Sequence, residues 1–154
     1  MADPQTDAET RTVTLADLAA TEALAAEFTG MLSPGDVIAL TGDLGAGKTV
    51  FARALIRAAG RAAGIDFGHV PSPTFTLVQH YELPGVTLYH FDLYRLTSPD
   101  EAWELGIEDA FGDGISVIEW ADRIETLLPA RRIRIDLAYG VGDTARIARI
   151  SRSA

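Results

Sequence analysis

Two kinds of hydrophobic spacing alternate along the chain. Leu18, Leu24, Ala25, Phe28, Met31 and Leu32 recur every three to four residues, which predicts a helix from about Thr21. Gly30 and Ser33-Pro34-Gly35 would end it. Residues 37–41 are instead an uninterrupted apolar run, the pattern of a strand buried on both faces. The Gly-rich stretch 42–49 comes next, and residues 50–63 return to helical spacing. Strand, glycine loop and helix in succession make the first half of a βαβ unit. Residues 64–74 are punctuated by Gly and Pro and read as an ordered loop. Residues 75–81 and 86–93 read as two strands joined by Leu83-Pro84-Gly85 in a hairpin. Ser98-Pro99 marks a helix start, with Ser98 as N-cap and Pro99 in the first turn. That helix would turn Trp103, Ile107 and Phe111 to the core and Asp100, Glu104 and Glu108 to solvent. Residues 115–120 form another short apolar run, and residues 133–139 and 145–150 alternate around Gly140-Val141-Gly142-Asp143 as a terminal hairpin.

These elements predict an α/β architecture: one compact P-loop-type domain with a mixed, mostly parallel sheet, flanking helices and a C-terminal β-hairpin. Residues 1–12 are polar and read as a frayed, disordered N-terminal tail, leaving residues 13–154 as the single domain. A chain of 154 residues, 47% hydrophobic and 23% charged, suits one globular core. No cysteine is present, which excludes disulfides, thiolate metal ligands and a cysteine nucleophile. The formal net charge of −9 repels phosphate backbones, so any nucleic acid would be held mainly by a partner. No apolar run approaches the roughly 20 residues of a membrane span, and the N-terminus lacks a basic start and an apolar stretch. The expectation is a soluble cytoplasmic protein with no membrane association.

The chemistry concentrates at Gly42-Asp43-Leu44-Gly45-Ala46-Gly47-Lys48-Thr49, a full match to G-x-x-x-x-G-K-[ST]. Glycines permit a tight turn whose backbone N–H groups point inward, and the following helix adds its positive end. Lys48 would reach the β- and γ-phosphates, and the Thr49 hydroxyl would ligate Mg²⁺. At this composition the pattern is expected by chance about 0.001 times, and Lys48 is the only lysine in the chain. A guanine-specific Asn-Lys-x-Asp motif cannot exist, because the chain has no asparagine and its single lysine is already engaged. ATP is therefore favoured by elimination.

Such a site also needs a carboxylate at the end of an apolar strand. Asp92 and Glu119 both qualify, and spacing does not choose between them. Thr74, in Ser72-Pro73-Thr74-Phe75, lies where a loop after the first helix could fold over a γ-phosphate; the alternative is a residue that merely opens a strand.

Together with the phosphate loop, Ser72-Pro73-Thr74-Phe75-Thr76-Leu77-Val78, His90-Phe91-Asp92-Leu93-Tyr94-Arg95-Leu96 and Val117-Ile118-Glu119-Trp120-Ala121 fall in an order that resembles the TsaE (YjeE) family. These are small bacterial P-loop ATPases of tRNA threonylcarbamoyladenosine biosynthesis. The resemblance spans about residues 13–150. It implies an ATPase working with a TsaB–TsaD complex, with tRNA reached indirectly through those partners. It implies that Lys48 and the loop backbone bind the phosphates of ATP and that Thr49 and Glu119 ligate Mg²⁺. Asp92 would position or activate the attacking water, and Thr74 would sense the nucleotide. Trp120 would stand beside the nucleotide and Thr21 near the base. One departure is visible: the Gly-Arg-Glu-Ala-Arg with which the family often ends reads Gly142-Asp143-Thr144-Ala145-Arg146, so the first arginine is an aspartate and Arg146 is only a weak substitute for it. Two other readings share the phosphate loop, a small-molecule kinase and a nucleotide-dependent switch that recruits a partner.

The remaining features have plain explanations. His69, His80 and His90 fit no zinc spacing. Arg53, Arg57 and Arg61 recur every four residues as a solvated helix face or a docking stripe. The acids from Asp100 to Asp113 read as a solvated face, and Trp103 with Ile107 as core. The basic C-terminal residues Arg131, Arg132, Arg134, Arg146, Arg149 and Arg152 alternate with apolar ones, as on a two-faced hairpin.

Overall fold

A computed structural model describes residues 9–152. Seven strands form one sheet in the order β1-β7-β6-β2-β5-β4-β3. The strands are β1 (Glu9–Leu15), β2 (Val37–Gly42), β3 (Val78–Leu83), β4 (Val86–Asp92), β5 (Ile115–Glu119), β6 (Ile133–Tyr139) and β7 (Arg146–Arg152). The four central strands, β6, β2, β5 and β4, run parallel, while β7 and β3 close hairpins on the two sides and β1 adds antiparallel to β7. Among the described residues four α-helices flank it: α1 (Leu18–Thr29), α2 (Lys48–Ala62), α3 (Glu101–Glu104) and α4 (Ile107–Asp113). A 3₁₀ segment covers Ala121–Leu127. Among the described residues, no helix is long and apolar enough to cross a membrane.

The uninterrupted apolar run of β2 has its physical reason in the two layers around it. Ile38 and Leu40 point to one face, into a core shared with Leu24 and Phe28 of α1 and Phe51, Leu55 and Ile56 of α2. Val37 and Ala39 point to the other, where Phe91, Leu93, Ile107, Ile118 and Ile124 form a second core. A strand buried on both faces has no position for a polar side chain until its carboxyl end, which is where the phosphate-loop sequence begins.

Several boundaries differ from the sequence reading. Positions 9–12 of the expected tail are the first half of β1, which pairs residue by residue with β7 and carries the Arg11–Glu27 ion pair at 2.9 Å. The free edge of the terminal hairpin supplies the ladder that their polar sequence does not advertise. The rest of the expected tail, residues 1–8, lies outside the described residues. Helix α1 starts three residues before Thr21, because Asp17 accepts the Ala20 amide at 2.9 Å as its N-cap. Strand β3 starts at Val78 and not at Phe75, since Leu77 takes φ +70° and breaks the ladder. The helix expected after Ser98 is two short pieces divided at Gly106, φ +79°. That break takes Trp103 off the face of Ile107: Trp103 is 44% exposed while Ile107 is fully buried.

Candidate functional site

Gly47, at φ +111°, is the N-cap of α2 and provides no side-chain cap, so the first amides of the helix are left for the loop and whatever it holds. Gly42 and Gly45 also take positive φ, +136° and +80°. The carbonyls of Leu44 and Gly45 are held by partners on the neighbouring strands. Tyr139 of β6 donates its hydroxyl to the Leu44 carbonyl at 2.7 Å, and Arg146 of β7 donates to the Gly45 carbonyl at 3.3 Å while stacking on the Tyr139 ring. Neither anchor was legible in the phosphate-loop motif. The signal would have been the in-register end of β6, whose Leu137 pairs with Gly42.

Lys48 is buried and folds back along the loop. Its ammonium donates to the Gly42 carbonyl at 2.6 Å and the Asp43 carbonyl at 2.7 Å, and lies 3.9 Å from the Trp120 ring. Burial pushes its pKa below the ordinary lysine value, against the opposing pull of Glu119, Asp122, Asp43 and Asp92. Trp120 holds φ +60°, rare for a non-glycine residue, directly after strand β5; this places the indole over the lysine and beside Tyr94, at 4.8 Å between ring centroids.

Asp92 and Glu119, between which spacing could not choose, are direct partners at the carboxyl ends of adjacent parallel strands. Both are buried. Their roles divide by neighbour. Glu119 Oε1 accepts the Thr49 hydroxyl at 2.5 Å, and Glu119 Oε2 meets His90 Nε2 at 2.6 Å. Asp92 Oδ2 accepts the Thr74 hydroxyl at 3.0 Å, and Asp92 Oδ1 accepts the Tyr94 amide at 3.0 Å. Thr74 in turn is 2.7 Å from the Ser72 hydroxyl, so the Ser-Pro-Thr loop is tied to the sheet and does not open a strand. The sequence reading left His90 and Ser72 without a role; the signal for His90 was its position two residues before Asp92 on one strand face.

Lys48, Thr49, Thr74, Asp92, Glu119 and Trp120 share one cavity of about 280 Å³. Thr21 is not among them. It lies across the phosphate loop in a second cavity, also about 280 Å³, with Asp17, Leu18, Phe51, Thr144 and Arg146. Gly45, Gly47 and Val50 border both, so the loop is the ridge between a charged chamber and a largely apolar one. Asp143 offers only its main-chain carbonyl here, accepting from Arg146 at 3.2 Å. The arginine stripe is partly structural: Arg53 and Arg57 donate through Nε to the carbonyls of Val70 at 2.8 Å and Gly68 at 3.1 Å.

The parallel centre of the sheet, the glycine loop leading from β2 into α2, and the paired strand-end carboxylates define a P-loop α/β protein. A family model described as "Threonylcarbamoyl adenosine biosynthesis protein TsaE" matches residues 15–147, and the chain belongs to that family. Among its relatives, a "tRNA threonylcarbamoyladenosine biosynthesis protein TsaE" of Rickettsia bellii is 41% identical over 131 residues, covering 85% of this chain and 88% of its own. The Bacillus subtilis protein of the same description is 40% identical over 129 residues, 82% of this chain and 77% of its own. The crystal structure of Bacillus subtilis YdiB superposes with a TM-score of 0.72 at 30% identity, covering 96% of this chain and 88% of that one.

Proposed function

We propose that the chain is a Mg²⁺-dependent ATPase of tRNA threonylcarbamoyladenosine formation that acts with a TsaB–TsaD-type complex. The observation that carries this reading is the single cavity in which Lys48, Thr49, Thr74, Asp92 and Glu119 converge beside the open N-terminus of α2. Phosphates entering it would take the place of the Gly42 and Asp43 carbonyls as partners of the Lys48 ammonium, and the glycine-loop amides would hold the remaining charge. Thr49 and Glu119 fit Mg²⁺: a hydroxyl and a carboxylate oxygen 2.5 Å apart form the sparse, all-oxygen set this ion takes when nucleotide phosphates complete its shell. Bound there, the ion would neutralise charge on the phosphate oxygens. Asp92, fixed by two hydrogen bonds in a buried setting, is the carboxylate available to orient water, and its bond to Thr74 links it to the loop that would sense the nucleotide. The apolar chamber around Thr21 is the place for the base.

Phosphate release from ATP should require Mg²⁺ and Lys48, drop strongly in Asp92→Asn, and rise when TsaB and TsaD are added. Equal rates with and without the partners would reject the coupling. Transfer of the phosphate to a small-molecule acceptor, with none released to water, would reject the hydrolase in favour of a kinase.

A further inference from the structure

The two oxygens of Glu119 have different partners, and only one of them belongs to the phosphate loop. Oε1 faces the Thr49 hydroxyl at 2.5 Å; Oε2 is held by His90 Nε2 at 2.6 Å, with the two side chains 2% and 0% exposed. The His90 ring comes from β4, whose residues 90 and 92 pair with Val117 and Glu119 of β5. Its second nitrogen, Nδ1, is buried without a hydrogen-bond partner. A histidine in this place is unfavourable for packing, since an apolar side chain of similar size would leave no polar atom unmet. Its one polar contact is with the outer oxygen of Glu119.

That contact determines what the carboxylate can offer. With Oε2 bonded in a dry pocket, Glu119 presents a single oxygen to the chamber. Mg²⁺ takes single oxygens in a tight octahedron, whereas Ca²⁺ takes six to eight and readily accepts both oxygens of one carboxylate. Resting on the reading that Thr49 and Glu119 face the cation of a bound nucleotide, we propose that His90 is a positioning residue that withholds Oε2 of Glu119 and so makes the site selective for Mg²⁺ over Ca²⁺.

The test is calorimetric titration of ADP into the full chain in Mg²⁺, in Ca²⁺ and in EDTA. The wild type should bind ADP more tightly with Mg²⁺ than with Ca²⁺. His90→Met keeps the bulk and removes the donor; it should lower the Mg²⁺-dependent gain in affinity roughly tenfold to hundredfold while leaving binding in EDTA unchanged. His90→Gln places an N–H near the position of Nε2 and should restore most of the ratio. His90→Asn, whose shorter amide falls short of Glu119, should behave like His90→Met and carries the comparison if the methionine variant does not fold. A wild type indifferent to the choice of cation, or donor-lacking variants that keep its Mg²⁺/Ca²⁺ ratio, would overturn the proposal. So would an equal loss of ADP affinity in all three conditions, the mark of a merely structural residue. Failure of the wild type to bind ADP under any condition would instead bring down the nucleotide reading itself, and this inference with it.

Discussion

Gly42 joins β2 to the phosphate loop at φ +136°, and a Cβ built there would lie 2.3 Å from the Leu137 carbonyl oxygen and 3.2 Å from its carbon. Both atoms are backbone of the neighbouring strand β6, so no side-chain rotation relieves the contact. Gly42→Ala therefore combines a disfavoured dihedral, about 1–3 kcal/mol, with overpacking against a strand, about another 1–3 kcal/mol. For a domain of this size each kcal/mol moves the melting temperature by about 2–4 °C, so a loss of roughly 5–20 °C is expected. Two controls separate the contributions. Gly35 has φ +93° with nothing within 4 Å, so Gly35→Ala should show the dihedral cost alone. Gly112 lies within α4 with open space around it and no positive φ, so Gly112→Ala should be neutral or stabilising by about 0.5–1 kcal/mol. Thermal unfolding and urea midpoints at constant m-value measure the series. A Gly42→Ala protein that melts within 2 °C of wild type, or no lower than Gly35→Ala, would refute the view that β2 and β6 approach too closely for a side chain.

Lys48→Met should lower ADP affinity at least tenfold by calorimetry, because a charge-assisted hydrogen bond to phosphate is lost. Its stability effect should depend on pH. The buried ammonium has a folded-state pKa below the ordinary 10.5 of the unfolded chain, so its desolvation cost is fully present below that lowered value and fades as pH rises towards 10.5. The urea midpoint of wild type relative to Lys48→Met should therefore climb as pH rises through that lowered value towards 10.5, and a constant difference would contradict the assignment. Asp17→Ala removes the cap bond to Ala20 and should lower stability by about 1 kcal/mol, with hydrogen exchange accelerated in the first turn of α1; unchanged exchange there would count against the cap. Tyr139→Phe frees the Leu44 carbonyl and should weaken ADP binding about two- to tenfold with little change in melting temperature, whereas unaltered affinity would show that the loop holds its shape without this anchor.

Local physics made a large part of this protein legible from its sequence. The double-sided burial of β2, the glycine loop and the helix after it, and the terminal hairpin follow from residue spacing, because their patterns are repeated within a few residues. Gly42 through Thr49 carry enough backbone freedom and charge in eight positions for the expectation of an anion site to arise from the sequence unaided. Other features needed the tertiary structure because their partners are remote in the chain. The first strand, Glu9–Leu15, exists only because β7 presents a free edge to it. Asp92 and Glu119 are equivalent as strand-end acids until the sheet order sets them side by side and gives one to Thr74 and the other to Thr49 and His90. The family resemblance put Trp120 beside the nucleotide and Thr21 near the base; only packing shows that the phosphate loop lies between them. Residue spacing encodes which face of an element is buried, but which side chains meet across the sheet depends on strand order and register, set by the packing of the whole chain.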